Sequence, residues 1–259
     1  MTAYYNEIDP YAAEWLRNLI AGGHIAPGEV DERSIEDVTP NDLRGFTQCH
    51  FFAGIGVWSY ALRQAGWSDD RPVWTGSCPC QPFSSAGKGA GFADERHLWP
   101  SWSWLIKQCR PSTIFGEQVR TAFKNGWFDK VANDMEMAGY AIGAQNIPGG
   151  TVGSQHKRDR LYFVAYSNQD ASGWNSRAVH GEEGKIIRSQ KSKGNGFGFG
   201  SEISLRGNDG MDRKVPQSCL PLLVDGSATV LAQNSAYGNA IISQAATKFI
   251  EVFMECQPC

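Results

Sequence analysis

Pro72-Val73-Trp74-Thr75-Gly76-Ser77-Cys78-Pro79-Cys80-Gln81-Pro82-Phe83-Ser84 is an apolar run of strand length that breaks into a tight, proline-framed turn. The turn holds Cys80 between Pro79 and Gln81, and the small residues Ser84-Ser85-Ala86-Gly87-Lys88-Gly89 follow it. Thiolates are strong nucleophiles that need only a modestly lowered pKa. A cysteine set rigidly at the mouth of a glycine-rich loop suits a site that must open and close. A cysteine beside a proline is, taken alone, more often structural. The segments around it reverse that balance.

Outward from this turn, short apolar runs alternate with helical patterns. Ala3-Tyr4-Tyr5-Asn6 precedes a helix expected over residues 10–21, with Trp15, Leu16, Leu19 and Ile20 on one face. Residues 22–27 read as a turn, Arg33-Ser34-Ile35 as a short extended piece, and residues 40–44 as a helical turn. Gln48-Cys49-His50-Phe51-Phe52 reads as a strand that runs into Ala53-Gly54-Ile55-Gly56, with a helix over residues 57–65. Beyond Cys80, helices are expected over residues 99–108 and 128–138, and strands over 112–116 and 160–165. Gly238-Asn239-Ala240-Ile241 opens a last helix running to about Met254. Alternation of this kind predicts an α/β fold, a doubly wound and mostly parallel sheet covered on both faces. Between residues 168 and 214 the composition turns to Gly, Ser, Asn and Lys without a clear period, which marks a loop-rich region. The expected divisions are therefore residues 1–167, 168–228 and 229–259.

A chain of 259 residues has room for one large α/β domain and a small module. Its 41% hydrophobic and 20% charged residues fit a soluble globular protein. No apolar run approaches the roughly 20 residues that span a bilayer, so no membrane is expected. The first residues lack the basic-then-apolar pattern of a leader. Seven cysteines, an odd number without framework spacing, fit a reducing cytoplasmic setting. The net charge of −3 argues against a generic nucleic-acid coat protein. Residues 168–214 nevertheless carry eight Lys/Arg against six Asp/Glu, and His156-Lys157-Arg158-Asp159-Arg160 lies just upstream. A locally basic face fits a phosphate-bearing substrate, and equally a solvated mixed surface.

Ligands of doubly wound sheets gather at the carboxyl ends of strands. Four groups fall there: the glycine turn at Gly54 and Gly56, the Cys80 turn, Glu117, and the pair Arg158 and Arg160. Together these segments resemble the DNA (cytosine-5)-methyltransferase family. Phe52-Ala53-Gly54-Ile55-Gly56 is similar to its S-adenosylmethionine turn, and Pro79-Cys80-Gln81-Pro82-Phe83-Ser84 to its nucleophile motif. Gly116-Glu117-Gln118-Val119 stands where the family has Glu-Asn-Val, Arg158-Asp159-Arg160 in its Arg-x-Arg motif, and Gly238-Asn239-Ala240-Ile241 in its C-terminal cofactor motif. The Pro-Cys-Gln-Pro-Phe-Ser element is specific; the others persuade jointly.

One departure concerns order. The family usually has some fifty residues and two further strands between glycine turn and cysteine, whereas Gly56 and Cys80 are 24 positions apart (80 − 56). Tyr5-Asn6-Glu7-Ile8-Asp9-Pro10-Tyr11-Ala12 resembles the family's Asn-Glu-x-Asp stretch, and Ser34-Ile35-Glu36-Asp37-Val38 its Asp-Ile stretch. This implies a permuted chain: second and third strands first, then the first, then the fourth, which parallel sheet topology tolerates. The alternative is an unrelated N-terminal extension and a truncated cofactor domain, without a ribose ligand. Ser34 replaces an acidic residue, His50 an Asp, and His156 a Gln, although Gln155 is adjacent.

The resemblance implies an enzyme that methylates C5 of cytosine in double-stranded DNA from S-adenosylmethionine. Cys80 would attack C6, Glu117 would stabilise the charge arriving on the ring, and Arg158 and Arg160 would bind the base and its phosphate. The cofactor would meet Glu7, Ile8, Ile35, Phe52, Gly54, Ile55, Gly56, Asn239 and Ala240; Ile8, Ile35 and Phe52 read equally as core. The target base must be flipped out of the duplex. Ser84, Lys88 and Arg96 on the following loop are candidate DNA contacts, the last two equally ordinary surface charges. Residues 168–228 would be the target-recognition region. A bacterial or bacteriophage enzyme is implied, monomeric, in the host cytoplasm, with a restriction partner or a host-mimicking role. An RNA cytosine methyltransferase and a non-catalytic DNA-binding homologue are the competing readings. No metal is expected: linking Cys78 and Cys80 with Cys256 and Cys259 would place the nucleophile on zinc, and the cytidine-deaminase pattern is absent.

Overall fold

Strand β1 (Ala3–Asn6) is buried at every residue because it has a parallel neighbour on each side. Those neighbours are β2 (Gly28–Asp31) and β3 (Gln48–Phe51). Strands β4 (Val73–Gly76) and β5 (Thr113–Val119) continue the parallel sheet, and β6 (Tyr140–Pro148) and β7 (Asp159–Ser167) close it. The order across the sheet is β2-β1-β3-β4-β5-β7-β6, with β7 antiparallel to both neighbours. The computed structural model describes residues 2–79, 98–121, 126–148, 159–167 and 241–256, and the backbone of residues 202–206 and 212–216.

This order settles the question of permutation. A doubly wound sheet runs third-second-first-fourth from its edge. Here β1 takes the second place and β2 the third, and β3, the strand before the glycine turn, takes the first.

Helices cover both faces. On one lie α1 (Pro10–Ala21), α2 (Val57–Gln64) and α5 (Ser243–Cys256); on the other, α3 (Trp99–Cys109), α4 (Trp127–Met137) and a 3₁₀ turn at Ile35–Asp37. Alternation along each strand divides the core. Tyr4, Phe51, Trp74, Ile114 and Phe163 pack against Ile35, Trp102, Ile106 and Val131. Tyr5 packs with Leu16 and Ile25, and Phe115 and Tyr162 pack with Trp58, Leu62, Ile250 and Phe253. Local chemistry fixes the ends. Asp9 caps α1 by accepting from the Tyr11 and Ala12 N–H groups at 2.9 and 3.0 Å, with Pro10 in the first turn.

The chain divides into two units, Met1–Val179 with Ser235–Cys259, and His180–Asn234. In the second, β8 (Glu202–Arg206) and β9 (Asp212–Pro216) form an antiparallel hairpin. Among the described residues no helix is long and apolar enough to cross a membrane.

The expected extended piece at Arg33-Ser34-Ile35 is incorrect. The strand is Gly28–Asp31, and Ile35 opens a 3₁₀ turn capped by Ser34, whose hydroxyl accepts from the Glu36 N–H. Glu29 and Asp31 flank the only aliphatic residue of that edge strand, so no apolar run betrays it. Gly28 is required by close approach: a Cβ there would stand 2.0 Å from the Ala3 carbonyl oxygen. Asp31 ties the strand end to its surroundings. Burial opposes its charge, but hydrogen bonds from Arg33 and the Tyr4 hydroxyl outweigh this and hold its pKa at about 2. Strand β6 has no counterpart in the sequence reading, and α5 begins at Ser243 rather than at Gly238.

Two buried features have measurable consequences. A Cβ on Gly116 would lie 2.0 Å from the Phe163 ring, so Gly116→Ala is expected to cost about 1–3 kcal/mol through overpacking. Thermal denaturation should show a Tm lowered by several degrees; an unchanged Tm contradicts this packing. His50 stacks on Tyr5 with ring centroids 4.8 Å apart, and its Nδ1 meets Thr75 Oγ1 at 2.8 Å. Burial pulls its pKa down to about 3. Its neutral form is therefore favoured by folding. This contribution is complete above the unfolded pKa of about 6.5 and is lost as pH falls toward 3, at up to ~1.4 kcal/mol per pH unit. Urea unfolding at pH 7.5 and 4.5 should show a smaller loss in His50→Gln than in the wild type; equal losses refute the assignment.

Candidate active site

All of β1, β3, β4 and β5 are parallel, so their carboxyl ends share one edge of the sheet. Residues just past those ends are drawn together whatever their distance in sequence.

Glu7 follows β1. Its Oε2 accepts the Gly54 N–H at 2.7 Å and its Oε1 accepts the Asp9 N–H at 2.9 Å. Burial raises its pKa, against the lowering effect of those two backbone hydrogen bonds. A carboxylate offers about four lone-pair positions, so both oxygens retain capacity for hydroxyl donors. The Ala53 N–H also donates to the Asn6 carbonyl at 3.0 Å, which fixes the glycine turn to the end of β1.

The turn itself is built from left-handed residues: Phe52 at φ 51°, Gly54 at 55° and Gly56 at 77°. Phe52 is the costly one, because an L side chain is disfavoured there and such outliers cluster at functional sites. Its ring, half-buried, stands edge-on to Trp102 with centroids 6.2 Å apart. A Cβ on Gly54 would meet nothing within 4 Å, so the space beside it is open, whereas Gly56 is closed in by Leu16 and Ile25. Gly56 then caps α2, whose free N–H groups give that terminus a partial positive charge. Ile55 is half-buried, Ile8 is 64% exposed beside Glu7, and Ile35 is packed in the core at 3%.

The chain leaves β4 beside Glu117, because Gly76 pairs with Gly116. Two side chains hold this exit. The Trp58 indole N–H donates to Ser77 Oγ at 3.1 Å, and Gln118 Nε2 donates to the Cys78 carbonyl at 3.3 Å. Cys78 is buried. Cys80, Ser84, Lys88, Arg96, Arg158, Asn239 and Ala240 lie outside the described residues.

Glu117 and Arg160 form an ion pair, Nε to Oε1 2.7 Å, with side chains only 8% and 17% exposed respectively. The reversal of β7 makes this possible. An antiparallel strand begins where its neighbour ends, so residue 160, near the start of β7, pairs with Val119 and reaches Glu117 diagonally. Asp159, facing the other way, meets Arg120 at 3.0 Å. Sequence reading found the glutamate and the arginine but not the ties from Trp58, Gln118 and Arg120. The one available signal was that a buried indole or amide needs a partner.

A buried carboxyl held by a guanidinium, beside the exit toward a cysteine, is suited to hydrogen-bonding a heterocycle under nucleophilic attack. On the same edge, the Glu7 carboxylate and the open glycine turn suit a vicinal diol and an extended ligand backbone.

Comparison with known proteins identifies the family. The family described as C-5 cytosine-specific DNA methylase matches residues 68–197, half of the chain. The match begins just before β4, downstream of the segment whose strand order is permuted. Type II methyltransferase M.HaeII of Haemophilus aegyptius is 28% identical over 160 residues, 60% of this chain and 42% of that protein. Type II methyltransferase M.NgoMIV of Neisseria gonorrhoeae is 30% identical over 183 residues, 55% of this chain and 58% of that protein. The chain thus spans about half the length of the curated relatives it matches. A putative DNA modification methyltransferase from an Escherichia coli prophage superposes with a TM-score of 0.46 at 17% identity, covering 68% of this chain and 42% of that one. The sheet order, the Glu117–Arg160 pair and the family match lead to one conclusion: the chain belongs to the C-5 cytosine-specific DNA methylase family.

Proposed function

We propose that this protein transfers a methyl group from S-adenosylmethionine to C5 of cytosine in double-stranded DNA, through a covalent bond between Cys80 and C6 of a flipped base. The observation that carries the proposal is the buried Glu117–Arg160 pair at the place where the chain leaves β4 toward Cys80. Cys80 follows Ser77 at that exit by three residues in the sequence, and the chemistry asks for a nucleophile on one ring atom of the base and a hydrogen-bonding acid on another.

The roles follow from the chemistry. Cys80, as thiolate, adds to C6, and electron density moves to C5 and toward N3. Glu117 shares a proton with N3 and so disperses that charge. Arg160 holds the Glu117 carboxyl in position, and with Arg158 offers donors to the base oxygen and the adjacent phosphate. The cofactor supplies an electrophilic methyl group to C5. Loss of the C5 proton to a base and departure of Cys80 then restore the aromatic ring.

The residues present fit the cofactor. Glu7 has acceptor capacity for ribose hydroxyls, Gly54 leaves open space, Phe52 and Ile8 offer apolar surface, and Gly56 opens the helix terminus behind them. Ile35, Ile55, Asn239 and Ala240 complete the proposed set. The target base leaves the stack because its C6 is inaccessible within a duplex. Ser84, Lys88 and Arg96 would meet the DNA, and residues 168–228 would read the sequence from its grooves. Similarity to type II methyltransferases supports a place in restriction–modification; a bacterial cytoplasmic, monomeric, phage-borne or host enzyme is part of the same proposal.

Transfer of labelled methyl from S-adenosylmethionine to unmethylated duplex DNA tests it, with the product sequenced for 5-methylcytosine. Cys80→Ser should abolish transfer and keep DNA affinity; Glu117→Gln should slow it by about 10²-fold or more. A Cys80→Ser protein that still methylates sinks the mechanism, and transfer to RNA alone moves the substrate class. In calorimetry, Glu7→Gln should weaken S-adenosylmethionine binding by about 10-fold or more, the loss of a charge-assisted hydrogen bond. Unchanged affinity would remove Glu7 from the site.

A further inference from the structure

Trp58 is the second residue of α2, directly behind the glycine turn. Its ring is 4% exposed, stacked on Phe115 at 6.0 Å and edge-on to Tyr162 at 6.1 Å. These contacts hold the ring without any hydrogen bond. The indole N–H, a donor only, reaches Ser77 Oγ at 3.1 Å. Ser77 is the first residue past β4 and lies three residues before Cys80 in the sequence. Gln118 holds Cys78 from the opposite neighbour, β5. The Gln118 tie runs within the sheet. The Trp58 tie runs from the element that carries the proposed cofactor turn to the strand exit that carries the proposed nucleophile.

We propose that Trp58 is a positioning residue: its hydrogen bond to Ser77 sets the spacing between the glycine turn and the cysteine turn. The inference rests on the methyltransferase reading given above. Neither the β3–β4 pairing nor the packing of α2 requires this bond, since a phenylalanine ring at residue 58 keeps the aromatic contacts and alanine at residue 77 keeps the backbone. The bond instead joins two turns whose relative placement governs in-line approach of a methyl donor to a base held by Cys80. A misplacement of about 1 Å costs up to ~10²-fold in rate while substrate binding is preserved. The expected signature is therefore a loss in the chemical step, separate from affinity and from stability.

The experiment compares Trp58→Phe, Ser77→Ala, Ser77→Thr and the Trp58→Phe/Ser77→Ala double variant in single-turnover methyl transfer to duplex DNA at saturating S-adenosylmethionine. Cofactor Kd and Tm are measured alongside. Trp58→Phe and Ser77→Ala should each slow transfer by about 5–20-fold, with Kd within about twofold of the wild type. The double variant should be no slower than the slower single, because both remove one shared bond. Ser77→Thr, which keeps the hydroxyl, should recover most of the rate. Rates at the wild-type level in both singles, effects that multiply in the double variant, or losses that appear in Kd rather than rate overturn the proposal. A wild-type protein that methylates no nucleic acid would instead refute the methyltransferase reading. In that case the alkylation rate of Cys80 by iodoacetamide, read on its own peptide by mass spectrometry, decides the positioning claim. A common shift of about threefold or more in both singles and the double upholds it, and equal rates in all proteins overturn it.

Discussion

Parallel pairing of Ala3–Asn6 with Gln48–Phe51 is the constraint on which everything else in the main unit depends. It places a strand from the start of the chain between β2 and the strand that leads to the glycine turn. Without it, Glu7 would have no route to Gly54 and β3 would become an edge. Main-chain hydrogen bonds between strands carry no record of chain order, so a permuted connection gives the same sheet, provided each strand presents the right faces. Tyr4 and Tyr5 meet that requirement by filling opposite cores.

The functional edge follows from this arrangement and from a single reversal. Parallel strands bring Glu7, the glycine turn and the β4 exit to one side. The antiparallel β7 then delivers Arg160 to the same side, although it is the start of a strand rather than its end. Arg160 finds Glu117 there with both side chains largely excluded from water. A carboxyl in such a place is costly unless paired, so the ion pair is as much a condition of the fold as a feature of the proposed chemistry. The same edge carries the strain at Phe52, whose left-handed backbone is maintained by the hydrogen bonds that the next two residues make, Ala53 N–H to the Asn6 carbonyl and Gly54 N–H to the Glu7 carboxylate.

The sequence by itself determined the class of fold and most of its elements. The Pro10–Ala21 helix, the helices before and after Cys80 and the central strands were legible because buried parallel strands read as apolar runs and their helices as amphipathic ones. The candidate residues Glu7, Gly54, Glu117 and Arg160 were legible through the resemblance of their segments to the family's motifs. Permutation could be inferred from the 24 positions between Gly56 and Cys80, too few for two strands.

Tertiary structure alone decided the rest. Strand β2 and the edge strand β6 carry too little apolar pattern to announce themselves, since edge strands are stabilised mainly by one neighbour's hydrogen bonds. Ile35 looked like part of a strand and is a core residue of a 3₁₀ turn, because burial selects for an aliphatic side chain in either conformation. The ties of Trp58 to Ser77 and Gln118 to Cys78, and the diagonal from Arg160 to Glu117, depend on register between strands far apart in the chain. Register is fixed by the sum of many main-chain bonds and packed faces, and no local stretch of sequence contains it.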